Sequence, residues 1–371
     1  MPQTPTKTAP VKTAPTKTAP IKTAPTKTAP AKTANIHDVA REARVSYQTV
    51  SRVINGHPSV APHTRARVEA AIHALGYRPS SVARSLAAKR TTTLGVVSFG
   101  TTLYGPAQML ASLEEAARRR GYQLSTVSVG TLSMDEIGPA IEGLRGQRVA
   151  GIVFITPLRQ VEAAPIDELC RGLPFLLVDG EPRSGRDVVA IDQFEGGRLA
   201  ARHLTDLGHR EIALLSGPEA WYDALRRREG WLSALSEVGV SPARAAQGDW
   251  TAASGHAETA RLLNGGAFSA LLAGNDYMAL GAIRALAERG LRVPLHVSVV
   301  GFDDVPEAAF YDPPLTTVRQ DFRALGRRGL DVLVRRIEHG NLPGGREDAP
   351  SVSALAPPRL LLRASTAPPA S

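Results

Sequence analysis

The sequence predicts an α/β protein in which a small helical domain precedes a large, doubly wound body of two lobes. Residues 35–76 contain three short helical patterns and no strand-like run. From residue 91 onward, strand-like runs alternate with helical runs, which is the pattern of parallel sheets covered by helices. Roughly 270 residues exceed the usual size of one hydrophobic core, so we expect this body to divide into two lobes.

Composition excludes several classes of protein. The chain has 371 residues, of which 43% are hydrophobic, so it can bury a large core. Its one cysteine, Cys170, excludes a disulfide framework and a multi-cysteine metal site, and we expect neither a metal nor a cofactor. It has no apolar run of 18 residues and no apolar signal core near its start. We therefore expect a cytoplasmic protein without a membrane partner.

Positive charge is concentrated at the N-terminal end. Of the formal net charge of +9, residues 1–34 contribute +6, because they hold six lysines and no acid. Residues 35–90 contribute another +6, which leaves −3 for the rest of the chain. A basic end on a mildly acidic body indicates a polyanionic partner for that end.

Residues 1–34 form a low-complexity tail in which "KTAP" recurs every five residues. Proline at this spacing prevents a continuous helix, and none of the residue types present builds a core. We predict that this lysine-rich tail is disordered. Two interpretations stay open: a spacer or upstream start, or a cationic segment that attracts phosphate groups without sequence preference.

Residues 35–79 predict a helix-turn-helix domain. In "SYQTVSRVING", Val50 and Val53 lie on an apolar stripe and the other face is polar, while Ser46 can cap the start of the helix. Gly56 can end it in a left-handed turn. "NIHDVAREA" predicts a helix before it and "PHTRARVEAAIHALG" a helix after it.

The second helix of such a motif enters the major groove of DNA, with its N-terminal residues foremost. Its polar side chains can reach base edges or phosphates. The candidate DNA-binding residues on this segment are Ser46, Tyr47, Gln48, Thr49, Ser51, Arg52 and Asn55. The other interpretation of the same pattern is an ordinary solvated helical hairpin.

Residues 80–90 have helical potential but are too few for a stable isolated helix. They would fold only against a partner, or they form a plain linker. Residues 91–365 form the α/β body, with seven strand-like runs from "TLGVVSF" to "VSVVGFDD". Ligands of such folds bind beyond the carboxyl ends of strands, where "VDG", "GND" and "GFDD" place acidic and amide side chains. We expect residues 366–371 to be disordered.

These segments together resemble the LacI/GalR family of transcriptional regulators, from Asn35 to about Arg363. The resemblance rests on "DVAREARVSYQTVSRVING", "YRPSSVARSLAAKRT", "GPEAWYDALRRREGW", "GDW", "GNDYMALGA", "VSVVGFDD" and "PPLTTVRQDFRALG". It implies a helix-turn-helix headpiece, a hinge helix over residues 80–90, and a two-lobed core like a type I periplasmic binding protein. The chain would cross three times between a first lobe (91–190 plus 322–348) and a second lobe (191–319 plus the last strand).

The resemblance also implies functional residues. Leu86 of the hinge would enter the minor groove at the centre of the operator. The ligand-binding residues would be Asp179, Arg227, Trp250, Asn275, Asp303 and Phe322. Carboxylates and a guanidinium suit sugar hydroxyls, and an indole suits the C–H face of a sugar ring. Each has a plainer interpretation, since Asp179 and Asp303 can cap loops and Trp250 can belong to the core.

The chain departs from the family pattern at several places. Arg44 stands in the first turn where the family often has glycine, so a left-handed residue is expected there at a cost of about 1 kcal/mol. Trp221 and Asp223 stand where a family member carries small hydroxyl residues, which leaves the identity of the effector open. The C-terminal leucine heptads of that member are missing, so we expect a homodimer.

The function implied is a DNA-binding transcriptional repressor of sugar-utilisation genes. A small sugar in the cleft, a galactoside being one candidate, would release it from its double-stranded DNA operator. The alternatives are a corepressor-dependent member of the same family and a nucleoid-type DNA-binding protein. An enzyme is not expected, because the chain has no G-x-G-x-x-G after its first strand, no Walker A loop, no H-E-x-x-H and no G-x-S-x-G.

Overall fold

The computed structural model describes residues 34–54, 56–77, 91–131, 133–156, 163–180, 186–339 and 353–370. They form two compact units, a helical headpiece and a core that holds every described strand. Several sequence predictions lie outside the described residues: the tail over 1–33, the hinge over 80–90 with Leu86, and Asn55. None of the described helices is long and apolar enough to cross a membrane.

The headpiece consists of three helices, as the sequence predicts. They are α1 (Ile36–Glu42), α2 (Tyr47–Ile54) and α3 (Pro62–Ala74). One fully buried valine from each helix, Val39, Val50 and Val68, forms the centre of their shared core. Asn35 caps α1 by accepting hydrogen bonds from two backbone N–H groups, and Asp38 accepts one from the N–H of Asn35 in return.

The turn between α1 and α2 contains the left-handed residue that the sequence predicts. Arg44 has a φ of +50°. This conformation lets the N–H of Val45 donate to the carbonyl of Ala40 at 3.0 Å, which closes the end of α1. The hydroxyl of Ser46 then accepts a hydrogen bond from the N–H of Thr49 at 3.2 Å, so Ser46 caps α2 as predicted. Gly56, with a φ of +68°, follows the end of α2.

The first lobe of the core is built on a six-stranded parallel sheet in the order β2–β1–β3–β4–β5–β11. Its strands are β1 (Thr93–Phe99), β2 (Gln123–Val129), β3 (Ile152–Ile155), β4 (Phe175–Val178), β5 (Val188–Ile191) and β11 (Ser353–Ala356). Its helices are α4 (Tyr104–Arg119), α5 (Met134–Gly146), α6 (Ala163–Leu169) and α11 (Phe322–His339). The sheet packs against helices through two clusters of buried side chains.

The second lobe has its own six-stranded sheet in the order β7–β6–β8–β9–β10–β12, in which only β12 runs antiparallel. Its strands are β6 (Ile212–Ser216), β7 (Arg244–Gln247), β8 (Ala270–Ala273), β9 (Ser298–Asp303), β10 (Thr316–Arg319) and β12 (Arg359–Leu361). Its helices are α7 (Gln193–Asp206), α8 (Tyr222–Glu237), α9 (Ala252–Asn264), α10 (Asp276–Glu288) and a 3₁₀ turn (Pro306–Phe310).

The chain crosses between the two sheets three times, which confirms the predicted two-lobed core. It crosses from β5 to α7, from β10 to α11 and from β11 to β12. The one difference is that β11, which lies beyond the expected end of the first lobe at residue 348, extends the first sheet beside β5. A four-residue strand of small residues, "SALA", carries too little alternation to be recognised from sequence.

Two glycines hold α7 and α8 in close contact and thereby fix the helix that carries Arg227. A Cβ atom on Gly197 of α7 would overlap the carbonyl oxygen of Arg227, and one on Gly230 of α8 would overlap the carbonyl oxygen of Phe194. The two helix backbones can therefore approach only because these positions lack side chains.

The C-terminal segment is bound to the second lobe, whereas we expected disorder from residue 366. The Nε2 atom of His203 lies 2.9 Å from the hydroxyl of Thr366. The buried imidazole of His209 pairs with the carbonyl of Ala367 at 2.9 Å and with the hydroxyl of Ser298. These pairings satisfy a buried polar ring, a need that the composition of the segment does not reveal.

Candidate functional site

The outer face of α2 presents the predicted DNA-contacting side chains. Tyr47 is 52% exposed, and Gln48 and Arg52 are exposed as well, while Ser51 is half-buried. The hydroxyl groups of Ser46 and Thr49 lie 3.0 Å apart at the start of the helix, so they also serve its cap. This arrangement leaves a phenol, an amide and a guanidinium as the groups best able to reach another molecule.

A basic side chain missed from the sequence stabilises the other end of α2. Arg65 of α3 donates to the carbonyl of His57 at 2.8 Å and to that of Val53 at 3.5 Å. A cation near the carbonyl groups at a helix C-terminus is favourable because of the helix dipole. The charge of Arg65 therefore stabilises the C-terminal end of α2.

The second candidate site lies in the core, where several loops follow the carboxyl ends of strands. Asp179 follows β4, Asp303 ends β9, and Trp250 lies shortly after β7. Their φ angles are +62°, +111° and +76°, a region that L-residues rarely adopt. Each such residue costs on the order of 1 kcal/mol or more, and strain of this kind clusters at functional sites.

These loops border a narrow cavity of about 30 Å³ between the lobes. From the first lobe it is lined by residues 103–106, which begin α4; from the second lobe it is lined by Trp221, Asp223, Arg227, Trp250, Asn275 and Asp303. Four of the six predicted ligand-binding residues therefore line it. Asp179 lies beside Asp223 and Arg227, close enough for direct electrostatic interaction. Phe322 packs edge-on against Tyr104 at 6.0 Å rather than lining the cavity itself.

Arg227 is held in a closed ring of three hydrogen bonds and one ion pair. Its Nε atom donates to Gln193 at 2.9 Å, and Gln193 donates to Gln320 at 2.9 Å. Gln320 then donates to Asp303 at 2.6 Å, and the carboxylate of Asp303 lies 3.5 Å from the Nη2 atom of Arg227. A further bond joins Arg227 to the carbonyl of Gly274 at 2.6 Å. The guanidinium is thus fixed in position before any ligand binds.

Gln193 and Gln320 are the functional residues that sequence reasoning missed. Gln193 begins α7 at the first crossover between the lobes, and Gln320 precedes α11 at the second. They are 127 residues apart in the chain, so no local pattern connects them. The sequence signal that could have identified them was their position at two of the expected crossovers between the lobes, where the chain passes the cleft.

Asn275 has a structural task as well as a place in the lining. It is the N-cap of α10, and its Oδ1 atom accepts a hydrogen bond from the N–H of Met278 at 2.8 Å. Its Nδ2 atom donates to the carbonyl of Trp250 at 3.1 Å, which supports the strained backbone there. Asn275 is therefore a helix-capping residue as well as part of the cavity lining, a structural role that the sequence did not predict for it.

The cleft contains several buried aspartates whose pKa values are raised. Burial raises the pKa of Asp303 to about 6, although the guanidinium of Arg227 opposes the shift. Burial also raises the pKa of Asp179 and raises that of Asp223 well above its usual value. Asp276 has a raised pKa for the same reason, but it accepts hydrogen bonds from Thr317 and from the N–H of Val305. One arginine thus faces more carboxyl groups than it can neutralise.

Several polar atoms of the cleft are buried without a hydrogen-bond partner among the described residues. They are both carboxylate oxygens of Asp179, the Oδ1 atom of Asp223 and the indole Nε1 of Trp250. Leaving such groups unpaired costs roughly 1–3 kcal/mol each, and native structures contain few of them. Asp223 and Trp250 line the cavity and Asp179 lies beside Asp223, which indicates that a bound polar molecule completes this group of atoms.

Aromatic rings line the remaining walls of the cavity. Trp221 and Trp250 meet edge to face at 5.7 Å, and Phe99 of the first lobe lies 5.8 Å from Trp221. In the sequence Trp221 is only a departure from the family pattern, but in the structure its ring lies against Phe99 of the first lobe and Trp250 of the second. Rings beside carboxylates and a guanidinium form the surroundings that suit a hydroxylated ring with an apolar face. In the parts of the chain that the structure describes, no three histidine, cysteine or acidic residues are grouped to hold a metal ion.

Comparison with protein families gives two matches along the chain. Residues 35–80 match the model of bacterial regulatory proteins of the lacI family, and residues 201–366 match a periplasmic binding protein-like domain. The first match covers the headpiece described above, and the second covers much of the second lobe of the core.

Individual relatives extend this similarity over most of the chain. The lactose operon repressor of Escherichia coli K12 is 38% identical over 85% of this chain and 88% of its own length. The transcriptional repressor PurR of Haemophilus influenzae is 36% identical over 82% of this chain and 92% of its own.

Solved structures agree with these matches. A lac repressor dimer bound to operator and the anti-inducer ONPF superposes with a TM-score of 0.84 at 37% identity, covering 91% of this chain and all of that one. A complex of the regulator CelR with cellobiose superposes with a TM-score of 0.66 at 32% identity, covering 90% of this chain and 99% of that one.

Proposed function

The chain belongs to the LacI family of bacterial regulatory proteins, and we propose that it is a transcriptional repressor released from operator DNA by a sugar bound in the interlobe cleft. One observation supports the sugar most directly: a carboxyl oxygen of Asp223 and the indole N–H of Trp250 lack hydrogen-bond partners at an aromatic-walled cavity, and the carboxyl group of Asp179 lies just behind Asp223. Sugar hydroxyls donate to carboxylates and accept from an indole N–H, so they satisfy these atoms without a charge on the ligand.

Operator binding is assigned to α2. Its exposed Tyr47, Gln48 and Arg52 carry groups that read base edges in the major groove, and the headpiece carries positive charge that attracts phosphate. We propose a homodimer on a pseudo-palindromic site, with one α2 in each half-site. The solved operator complex of a lac repressor dimer, to which this chain is similar over 91% of its length, supports that proposal.

The effector is proposed to be a neutral mono- or disaccharide. In this arrangement of the lobes the cavity, at about 30 Å³, is far smaller than a sugar site, so we propose that the lobes part to admit the ligand. The fixed guanidinium of Arg227 and the carboxylate of Asp303 are set to bind hydroxyl groups, and Trp250, whose ring already has that guanidinium over it, borders the cavity with apolar surface. A galactoside remains one candidate, and the cellobiose complex of a relative makes a glucoside another.

Release of DNA is proposed to follow from a shift between two arrangements of the lobes. DNA favours the arrangement that keeps the two hinge segments of the dimer together, and the sugar favours a different closure of the first lobes. Two ligands that prefer different states oppose each other by one coupling free energy, typically about 1–3 kcal/mol. We propose no catalytic step for this chain. We propose that it works in the cytoplasm, where its DNA is.

A thermal-shift screen followed by operator release tests the proposal. The operator sequence is first obtained by selection from random DNA with the full chain. Lactose, cellobiose and their monosaccharides are then screened for a rise in melting temperature, since a ligand that binds only the folded state stabilises it. At least one of them should also lower operator affinity. If a sugar raised operator affinity instead, the corepressor-dependent alternative would replace release; if no sugar bound, the sugar itself would be the wrong class.

A further inference from the structure

Asp179 and Asp223 form a carboxyl pair that the hydrogen-bond ring of the cleft does not include. Asp179 follows a strand of the first lobe, and Asp223 lies in the first turn of α8 in the second lobe. Both side chains are buried, with 0% and 6% of their surface exposed. The two side chains are near enough to share a hydrogen bond when one is protonated, and the side chain of Gln193 also faces Asp179. Apart from these contacts, three of the four carboxyl oxygens lack a hydrogen-bond donor in the described parts of the chain.

We propose that Asp179 and Asp223 hold one proton between them in the empty cleft, and that two neighbouring hydroxyl groups of a neutral sugar displace this proton on binding. The proposal rests on the proposed function, because it concerns the same cleft and the same class of effector. It adds a specific residue, Asp223, and a measurable proton exchange to that function.

The empty pair retains a proton because two adjacent buried carboxylates cannot both stay ionised at neutral pH without a cation of their own. Arg227 is the nearest cation, but its Nη2 atom lies 3.8 Å from Asp223 and 3.5 Å from Asp303. Its Nε and Nη1 atoms already donate to Gln193 and to the carbonyl of Gly274.

The other groups that face the pair do not supply a counter-charge. Asp303, on β9, adds a further negative charge, and Gln193, on α7, is neutral, although its hydrogen bond to Asp179 lowers the pKa of that carboxyl and partly offsets the effect of burial. Burial is the main cause of the raised pKa of both Asp179 and Asp223, and each also feels the other. The pair therefore retains a proton at a pH at which separate exposed aspartates have lost theirs.

A sugar changes this balance because its hydroxyl groups are hydrogen-bond donors. Two neighbouring hydroxyls donate two charge-assisted hydrogen bonds to the pair, and such bonds are roughly twice as strong as neutral ones. They replace the single hydrogen that the carboxyl groups shared. The ionised form is then the better partner, so the proton leaves to solvent and the affinity for the sugar rises with pH.

The shared proton is tested first without any ligand. A carboxyl group with a raised pKa in the folded state makes the free energy of unfolding fall as pH rises, from about pH 4 up to the folded pKa. Asp223→Asn keeps the shape but removes one acid, so it should flatten this fall and raise the melting temperature at pH 8 by about 2–4 °C. Asp206→Asn, which changes an exposed carboxyl on the same lobe, should leave the wild-type profile unchanged. If the free energy of unfolding of Asp223→Asn fell as steeply with pH as that of the wild type, the proposal of a shared proton would be wrong.

Calorimetry with lactose and cellobiose then tests the release. Titrations in phosphate and in Tris at one pH differ in heat if the binding step releases a proton, because the two buffers differ in ionisation enthalpy. The wild type should release up to one proton, with an affinity rising as much as about ten-fold per pH unit, and Asp223→Asn should release none. Sugar binding with equal heats in both buffers would overturn the release. If neither sugar bound while the pH profile of unfolding behaved as expected, the proposed sugar function would fail and the shared proton would stand.

Discussion

At the residue scale, the guanidinium of Arg227 holds several parts of the cleft together. It donates to Gln193 and to the carbonyl of Gly274, it lies 3.5 Å from Asp303, and its carbon lies 3.9 Å from the centre of the Phe302 ring. These partners come from a helix, a loop and a strand of the second lobe. None belongs to the headpiece, so the role of Arg227 is separable from DNA contact.

Arg227→Ala should leave operator binding within about two-fold of the wild type and abolish release by sugar. It should also lower the free energy of unfolding by about 3 kcal/mol or more, because it leaves buried carboxyl groups without their cation. The measurement is operator titration by fluorescence anisotropy at fixed sugar, combined with thermal unfolding. Arg228→Ala, a neighbour on α8 whose side chain is 41% exposed, is the control and should behave as the wild type. Normal release by Arg227→Ala would refute this role.

Tyr47 and Gln48 are the residues expected to read bases, since they are exposed at the start of α2. Gln48→Ala should cost roughly 1–3 kcal/mol at the preferred operator and relax the base preference at the position it reads. Tyr47→Ala should change the preference at a neighbouring position. Selection on random DNA measures both, and Glu69→Ala on the exposed surface of α3 serves as the control. An unchanged consensus for both α2 variants would contradict the assignment.

At the element scale, the helices of the headpiece were predictable because each has a local signal. Ser46 and Gly56 mark the ends of α2 by short-range chemistry and act as predicted, and Asn35, for which no capping role was predicted, caps α1 in the same way. The strands β5, β7, β10 and β11 were not recognised, because short runs such as "RAAQ" show no useful alternation, and β12 was expected only as the last strand that the family resemblance implies. The strand ends that carry Asp179, Asn275 and Asp303 were predictable, whereas the bond between Gln193 and Gln320 joins distant segments and was not.

The turn between α1 and α2 offers a test of this local reasoning. Arg44→Gly removes the steric cost of a φ of +50°, but it also adds freedom to the unfolded chain. We expect a net stabilisation of the headpiece by about 0.5–1 kcal/mol, seen as slower hydrogen exchange of α1 and α2 amides. Arg41→Gly, within α1, should instead destabilise the headpiece by about 1 kcal/mol. A loss of protection in Arg44→Gly would show that Arg44 makes contacts that outweigh its strain.

The lysine-rich segment over residues 1–34 is a further element whose role follows from charge alone. Six lysines near DNA can release condensed counterions, so operator affinity should fall more steeply with salt when the segment is present. Deleting residues 2–33 should flatten this slope and leave the consensus operator unchanged. Changing the six lysines to glutamine at full length is the matched control, and it should flatten the slope equally. Equal slopes for the wild type and both variants would favour the spacer.

At the scale of the whole molecule, a DNA-binding headpiece is joined to a core whose cleft is lined by residues of both lobes. Residues 103–106 and Asp179 come from the first lobe, while Arg227, Trp250 and Asp303 come from the second. A ligand that contacts both sides must favour one arrangement of the lobes over another. Because the chain crosses between the lobes three times, such a rearrangement acts on all three connecting segments together.

Reciprocal linkage between sugar and operator tests this account most directly. Operator affinity is measured with and without saturating sugar, and sugar affinity is measured with and without saturating operator, using the full chain at one salt concentration. We expect each ligand to lower the affinity for the other by the same factor, between about 5-fold and 150-fold. Sugar binding that leaves operator affinity unchanged, or that strengthens it, would contradict the account.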